Sequence, residues 1–206
     1  MSRLATAMAH PGPIEVHRWL MAGASGDLDA FDVHAVGSVL SLAVCEAQKE
    51  RRPLGACVGL GGDDLVALVA KYFPHAQRLL ARFDSRQRPP MTEAEARLRE
   101  MLDSLSTEAS PLEHDLAAII ARRAQRQNHL WQDLGLRNRG ELSTLMTRHF
   151  GPLARRNSQD MKWKKFFSRQ LCVDGVAPVC IAPSCGECTD FDACFGEEKG
   201  ESLITA

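Results

Sequence analysis

Aromatic residues are scarce in this 206-residue chain, with one tyrosine, three tryptophans and eight phenylalanines making up 6% of it. Period-two alternation of apolar and polar residues is almost absent from about residue 13 to 172, which excludes a substantial sheet. No run approaches the roughly 18 apolar residues that span a bilayer, and the N-terminal stretch MSRLATAMAHPGP lacks the apolar core of a secretion signal. An excess of one charge is missing too: 25 Lys and Arg stand against 26 Asp and Glu, so the net charge of -1 gives no global pull toward nucleic acid or anionic membranes. These absences lead to the expectation of a cytoplasmic protein with no nucleic-acid and no membrane partner. No Ser-His-Asp or paired-carboxylate constellation stands out, so catalysis is not expected.

What is present is helical pattern followed by cysteine. The length suits one domain with a small appended module. The expected layout is a segment 1–30 of no marked character, a helical domain 31–172, and a cysteine-rich cluster-binding loop and tail 173–206. The fold class is therefore all-α: a multi-helix domain carrying an irregular C-terminal cysteine-rich metal-binding loop. Val33, Val36, Leu40, Val44 and Ala47 form one stripe over 32–50, and Leu65, Leu68, Val69 and Phe73 form another over 63–73. Thr92 with Glu95, and Ser110 with Glu113 and Pro111, read as helix starts. Gly135 reads as a stop, Asn138 as the cap of a helix 139–150 ended by Gly151-Pro152, and a further helix covers 161–172. Beyond Cys172, Gly175, Pro178, Pro183, Gly186 and Gly196 leave no room for a regular element.

Five of the seven cysteines fall between 172 and 194, four of them spaced C-x4-C-x2-C-x5-C as Cys180, Cys185, Cys188 and Cys194. Thiolates this close converge on one metal centre without a distant partner element. In a reducing compartment such a cluster binds metal or does redox work in preference to forming disulfides. Structural zinc sites use two C-x2-C pairs a dozen or more residues apart, and here only Cys185 and Cys188 make such a pair. The spacing therefore favours an iron–sulfur cluster while leaving zinc open. A radical S-adenosylmethionine site would need C-x3-C-x2-C, where this chain has a gap of four. Cys172 is a candidate fifth ligand or a buried thiol. Cys45 and Cys57 read as small buried hydrophobes.

The run CIAPSCGECTDFDACFG from Cys180, preceded by MKWKKFFSRQLC at 161–172, resembles the NifQ family of nitrogenase-cofactor assembly proteins. The resemblance continues through HLWQDLGL at 129–136 and ELSTLMTRHFGPLARRN at 141–157, and more loosely through GLGG at 59–62 and KYFPHA at 71–76. It implies an iron–sulfur protein, with a cluster of 3Fe-4S or 4Fe-4S type, that also carries molybdenum and donates it for assembly of the iron–molybdenum cofactor. It further implies Cys180, Cys185, Cys188 and Cys194 as cluster ligands, a molybdate or other molybdenum source, and the NifEN scaffold and the nitrogenase iron protein NifH as partners. Ser168 departs from the family's run, which has an aromatic residue there. From a different class, a zinc-stapled protein-interaction module is the alternative, and an electron-transfer protein without molybdenum is a third.

Around this segment, seven Lys or Arg between 148 and 169 face the single acid Asp160, while 187–201 is nearly the mirror image. The basic helix either attracts molybdate or an acidic partner, or forms a solvated face paired with the acidic tail. His129 and His149 lie in the family-like runs and are further candidate ligands or hydrogen-bond donors behind the ligands. Trp163, Phe166 and Phe167 read as packing groups. Gly59-Leu60-Gly61-Gly62 reads as a turn before a helix started by Asp63 and Asp64, not as an anion cradle.

Overall fold

Helix α2 (Ala30–Glu50) is the longest of the described helices in this computed structural model, which describes residues 11–80, 89–173 and 191–204. Asp29 starts it by accepting hydrogen bonds from the Phe31 and Asp32 N–H groups, at 2.9 and 3.1 Å. The expected stripe from Val33 to Ala47 is buried, but so are Ala35, Ser38, Val39, Ser41, Leu42 and Ala43. A helix buried on most of its faces is apolar most of the way round. This corrects the reading that no segment is long and apolar enough to span a bilayer, because α2 is so by length and composition. Two thirds of that apolar window is buried inside the fold, where its side chains meet protein.

Helix α1 (Pro13–Ala22) lies along α2 and buries Val16 and Leu20 against it. Helix α3 (Leu54–Val58) returns to α2 and also meets α7 (Pro111–Ala124), and α4 (Gly62–Tyr72) packs on α7 as well. The α3–α4 turn is a close approach: Gly59 has φ +94°, and a Cβ there would stand 2.6 Å from Arg122 Cβ and 2.7 Å from the Ala118 carbonyl oxygen. Only glycine combines that backbone angle with that contact. A 3-10 turn (Pro74–Ala76) leads into α5 (Gln77–Leu80).

The capping predictions hold in the next helices, with one difference. Ser110 and Glu113 form the reciprocal box at the start of α7. Thr92 caps α6 (Glu93–Ser104) through the Glu95 N–H, but the Glu95 carboxylate turns away to Arg122 Nε at 2.7 Å. A charged partner from another helix outcompetes the cap. Gly135, at φ +71°, closes α8 (Leu130–Asp133), and Asn138 caps α9 (Arg139–His149).

Two expectations near the C-terminus need correction. Gly151-Pro152 ends α9 but also opens α10 (Gly151–Arg156), because Phe150 breaks the backbone at φ -133° and a proline in the first turn costs no helical hydrogen bond. The segment past Cys172 does hold a regular element, the single turn α12 (Phe191–Phe195). Helix α11 (Trp163–Val173) comes between them and buries Trp163, Phe166 and Phe167 in the core, as expected of packing groups. Ser168 faces solvent and donates to the Lys164 carbonyl, so its departure from the family pattern leaves the core untouched. Among the described residues there is no strand.

Candidate metal centre

Of the predicted ligands, Cys180, Cys185 and Cys188 lie outside the described residues, and Cys194 and Cys172 lie within them. Cys194 sits on α12, which docks at the start of α11. The Lys162 N–H donates to the Cys194 carbonyl at 2.8 Å, and Lys162 Nζ donates to the Asp192 carbonyl at 2.9 Å. Phe191 and Phe195 stack at 4.5 Å on the same turn, with Phe191 exposed and Phe195 packed against the core. Gly196 closes the turn where a Cβ would stand 2.6 Å from the Asp192 carbonyl oxygen.

Cys172 is at the other end of α11. Ten residues separate it from Lys162, about 15 Å of helical rise, so α11 holds these two candidate ligands apart. Among the described residues, no three His, Cys, Asp or Glu side chains converge as a metal site.

The two candidate histidines part company as well. His129 comes to the segment that follows Cys194, where its Nδ1 is 3.1 Å from Glu198 Oε1. His149 is buried at the far end of α9, with Nε2 3.0 Å from Asp32 Oδ1 and Nδ1 3.8 Å from Glu113 Oε1. Arg139, at the near end of α9, contacts Glu198. His149 therefore stands about 15 Å along the helix from the tail.

The basic run also finds partners other than those expected. Arg148 grips both oxygens of Asp29 at 2.6 Å, and that hydrogen bond holds the Asp29 carboxyl down to about 2. Lys164 reaches the Asp133 carboxylate and the Arg126 carbonyl, each at 2.6 Å. Arg148 and Lys164 are tied to acids and carbonyls of the helical body, whereas Lys162 of the same run reaches the acidic segment through the Asp192 carbonyl.

Behind Lys164 lies a network the sequence reading missed. Arg123 is completely buried, with its guanidinium on the Glu46 carboxylate and on the carbonyls of Asp133 and Cys57. Asn128 and Lys164 complete the shell of Asp133. The available signal was a charged residue inside the apolar run AAIIARRA of α7. Cys57 is buried, as expected of a small hydrophobe, while Cys45 is half-buried and donates its thiol proton to the Pro11 carbonyl at 3.2 Å; burial, with Glu46 next in effect, pushes both thiols up, Cys45 to about 11. Protonated thiols are poor metal ligands at neutral pH.

A cavity of about 420 Å³ opens beside Cys194's turn, lined by Trp131, Arg137, Arg139, Phe195, Glu198 and Gly200 among others. The run HLWQDLGL and the tail thus face each other across one space.

The NifQ family model matches residues 38–196, a span that runs from within α2 to the end of α12 and takes in all four clustered cysteines. The chain belongs to the NifQ family. It is 39% identical over 176 residues to a protein described as a NifQ homolog from Sinorhizobium fredii (strain NBRC 101917 / NGR234), covering 84% of this chain and 75% of that relative. It is 35% identical to Protein NifQ of Rhodobacter capsulatus over 85% of this chain and 96% of the relative. Over a shorter stretch of 81 residues it is 49% identical to Protein NifQ of Klebsiella pneumoniae, covering 39% of this chain and 48% of the relative. No solved structure matches. NifQ membership implies a role in nitrogen fixation, in the biosynthesis of its iron–molybdenum cofactor.

Proposed function

We propose that this NifQ-family chain is a carrier and not an enzyme. In this reading it holds an iron–sulfur cluster of 3Fe-4S or 4Fe-4S type through Cys180, Cys185, Cys188 and Cys194. It takes up molybdenum from molybdate or another source and donates it for iron–molybdenum cofactor assembly. The observation that carries the reading is the family match, which runs through the whole cysteine segment to residue 196.

The donor set suits the cargo. Four thiolates within fifteen residues are soft ligands, and reduced molybdenum and iron both favour sulfur. Cys194 sits half-buried on a turn that is carried by Lys162 and flanked by the Phe191–Phe195 stack. Delivery to the NifEN scaffold and contact with NifH, in the cytoplasm, belong to the same reading and rest on the family resemblance.

Elemental analysis of anaerobically purified protein for iron, molybdenum, zinc and acid-labile sulfide, with Cys188→Ala alongside, tests it. Iron, sulfide and molybdenum together, all lowered in the variant, support the carrier. Zinc alone refutes it in favour of a zinc-stapled interaction module, and iron and sulfide without molybdenum point to electron transfer.

A further inference from the structure

We infer that the strap following Cys194, residues 196–204, positions that cysteine for metal binding, with Glu198 as its fastening and His129 and Arg139 as the groups that hold it. This deepens the carrier reading and rests on it. The Glu198 side chain is only 4% exposed, with Oε1 3.1 Å from His129 Nδ1 and Oε2 3.3 Å from the Arg139 guanidinium. The Arg139 contact is one of charge, since Oε2 makes no aligned hydrogen bond. A carboxylate this deep is tolerated only where cationic or N–H groups meet it, so the pairing fixes where the strap lies.

Three further contacts hold the same path. Gln132 Nε2 donates to the Glu201 carbonyl at 2.9 Å. Ile204 is buried over Gly135, where a Cβ would stand 2.9 Å from Ile204 Cδ1. Gly200 adopts φ +140° beside the Gln132 amide, a backbone angle that strains any other residue. On the other side of Cys194, Lys162 holds its carbonyl. The cysteine is thus held from before and after, and the entropy of ordering that ligand is already spent before metal arrives. His129 acts through Glu198 as a positioning residue, so its place near the cysteine segment does not make it a ligand.

The test has two readouts: hydrogen exchange of 191–204 in metal-free protein, and iron release to a chelator together with the EPR signature of the iron-loaded protein. The variants are Glu198→Gln, Gly200→Ala and His129→Gln, with Arg139→Lys as the conservative control for Arg139→Gln. All but Arg139→Lys are expected to exchange 191–204 and to lose iron about tenfold faster, as loss of a charge-assisted contact or, for Gly200→Ala, a strained positive-φ backbone implies. Exchange in α2 and α7 should stay at the wild-type rate, as should the g-values. Unchanged exchange and iron release in Glu198→Gln and Gly200→Ala, in a protein that does bind iron, overturn the positioning role alone. Altered g-values in His129→Gln, with exchange unaltered, overturn it by making His129 a ligand. A wild-type protein that binds no iron removes the carrier reading and this role together.

Discussion

Replacing Arg123 with methionine removes a guanidinium with no exposed surface from the junction of α2, α7, α8 and the end of α3. The methionine keeps much of the packing volume, so the loss isolates the polar contacts. Two backbone carbonyls, Asp133 and Cys57, lose their side-chain donor at about 1 kcal/mol each, and the two-pronged contact with Glu46 accounts for a further 1.5–3 kcal/mol or so. Glu46 keeps Arg126 at 2.8 Å, which limits the damage. The expected destabilisation is about 4 kcal/mol, within the range for breaking a buried ion pair. For a chain of this length that lowers Tm by roughly 8–16 °C. Arg123→Lys recovers only part of it, because an ammonium group cannot reproduce the planar fork on Glu46. Urea unfolding of metal-free wild type, Arg123→Met, Glu46→Gln and the double variant measures the loss and the Arg123–Glu46 coupling. A loss below about 1 kcal/mol, or additive single variants, would refute the account of this network.

Three other outcomes follow from the same geometry. Gly59→Ala places a Cβ against Arg122 and the Ala118 carbonyl at positive φ and should cost about 2–4 kcal/mol in urea unfolding; a neutral result would mean that α3 and α7 can separate freely. Burial and the nearby Asp64 raise the Asp115 carboxyl to about 6. Because the folded state binds this proton more tightly than the unfolded chain, stability falls as pH rises from about 4 to 6 and the loss then levels off. Asp115→Asn should flatten that part of the Tm-against-pH curve and raise Tm at pH 7. His149→Gln should lower Tm by breaking the contacts with Asp32 and Glu113 while leaving iron content unchanged, and a fall in iron with Tm preserved would put His149 back among the ligands.

Most of the helical frame was legible because its signals are local. A cap such as Ser110 to Glu113 spans three residues, and the buried stripe of α2 follows from the helical repeat alone. The short helices were harder to read. Helix α10 starts on the very Gly-Pro pair that reads as a stop, and α12 is one turn set among glycines and acids. Both depend on docking: α10 packs against α9, and α12 is held by Lys162. Short helices without such support are marginal in water.

The candidate site divides along the same line. Spacing alone made four cysteines the candidate metal-binding set and distinguished them from zinc-finger pairs, since thiolates a few residues apart can converge without a distant partner element. Sequence likewise determined the all-α class, through the periodicity of its apolar residues. Tertiary structure decided which distant charges meet. It turned Glu95 from its cap to Arg122, buried Arg123 on Glu46, and brought Glu198 between His129 and Arg139, while His149 went to the opposite end of α9. Each of these pairings joins residues 27 to 117 positions apart, as for Glu95 with Arg122 and Asp32 with His149. No local propensity encodes such a pairing; it arises only when apolar burial has brought the helices together and each trapped charge must find a partner.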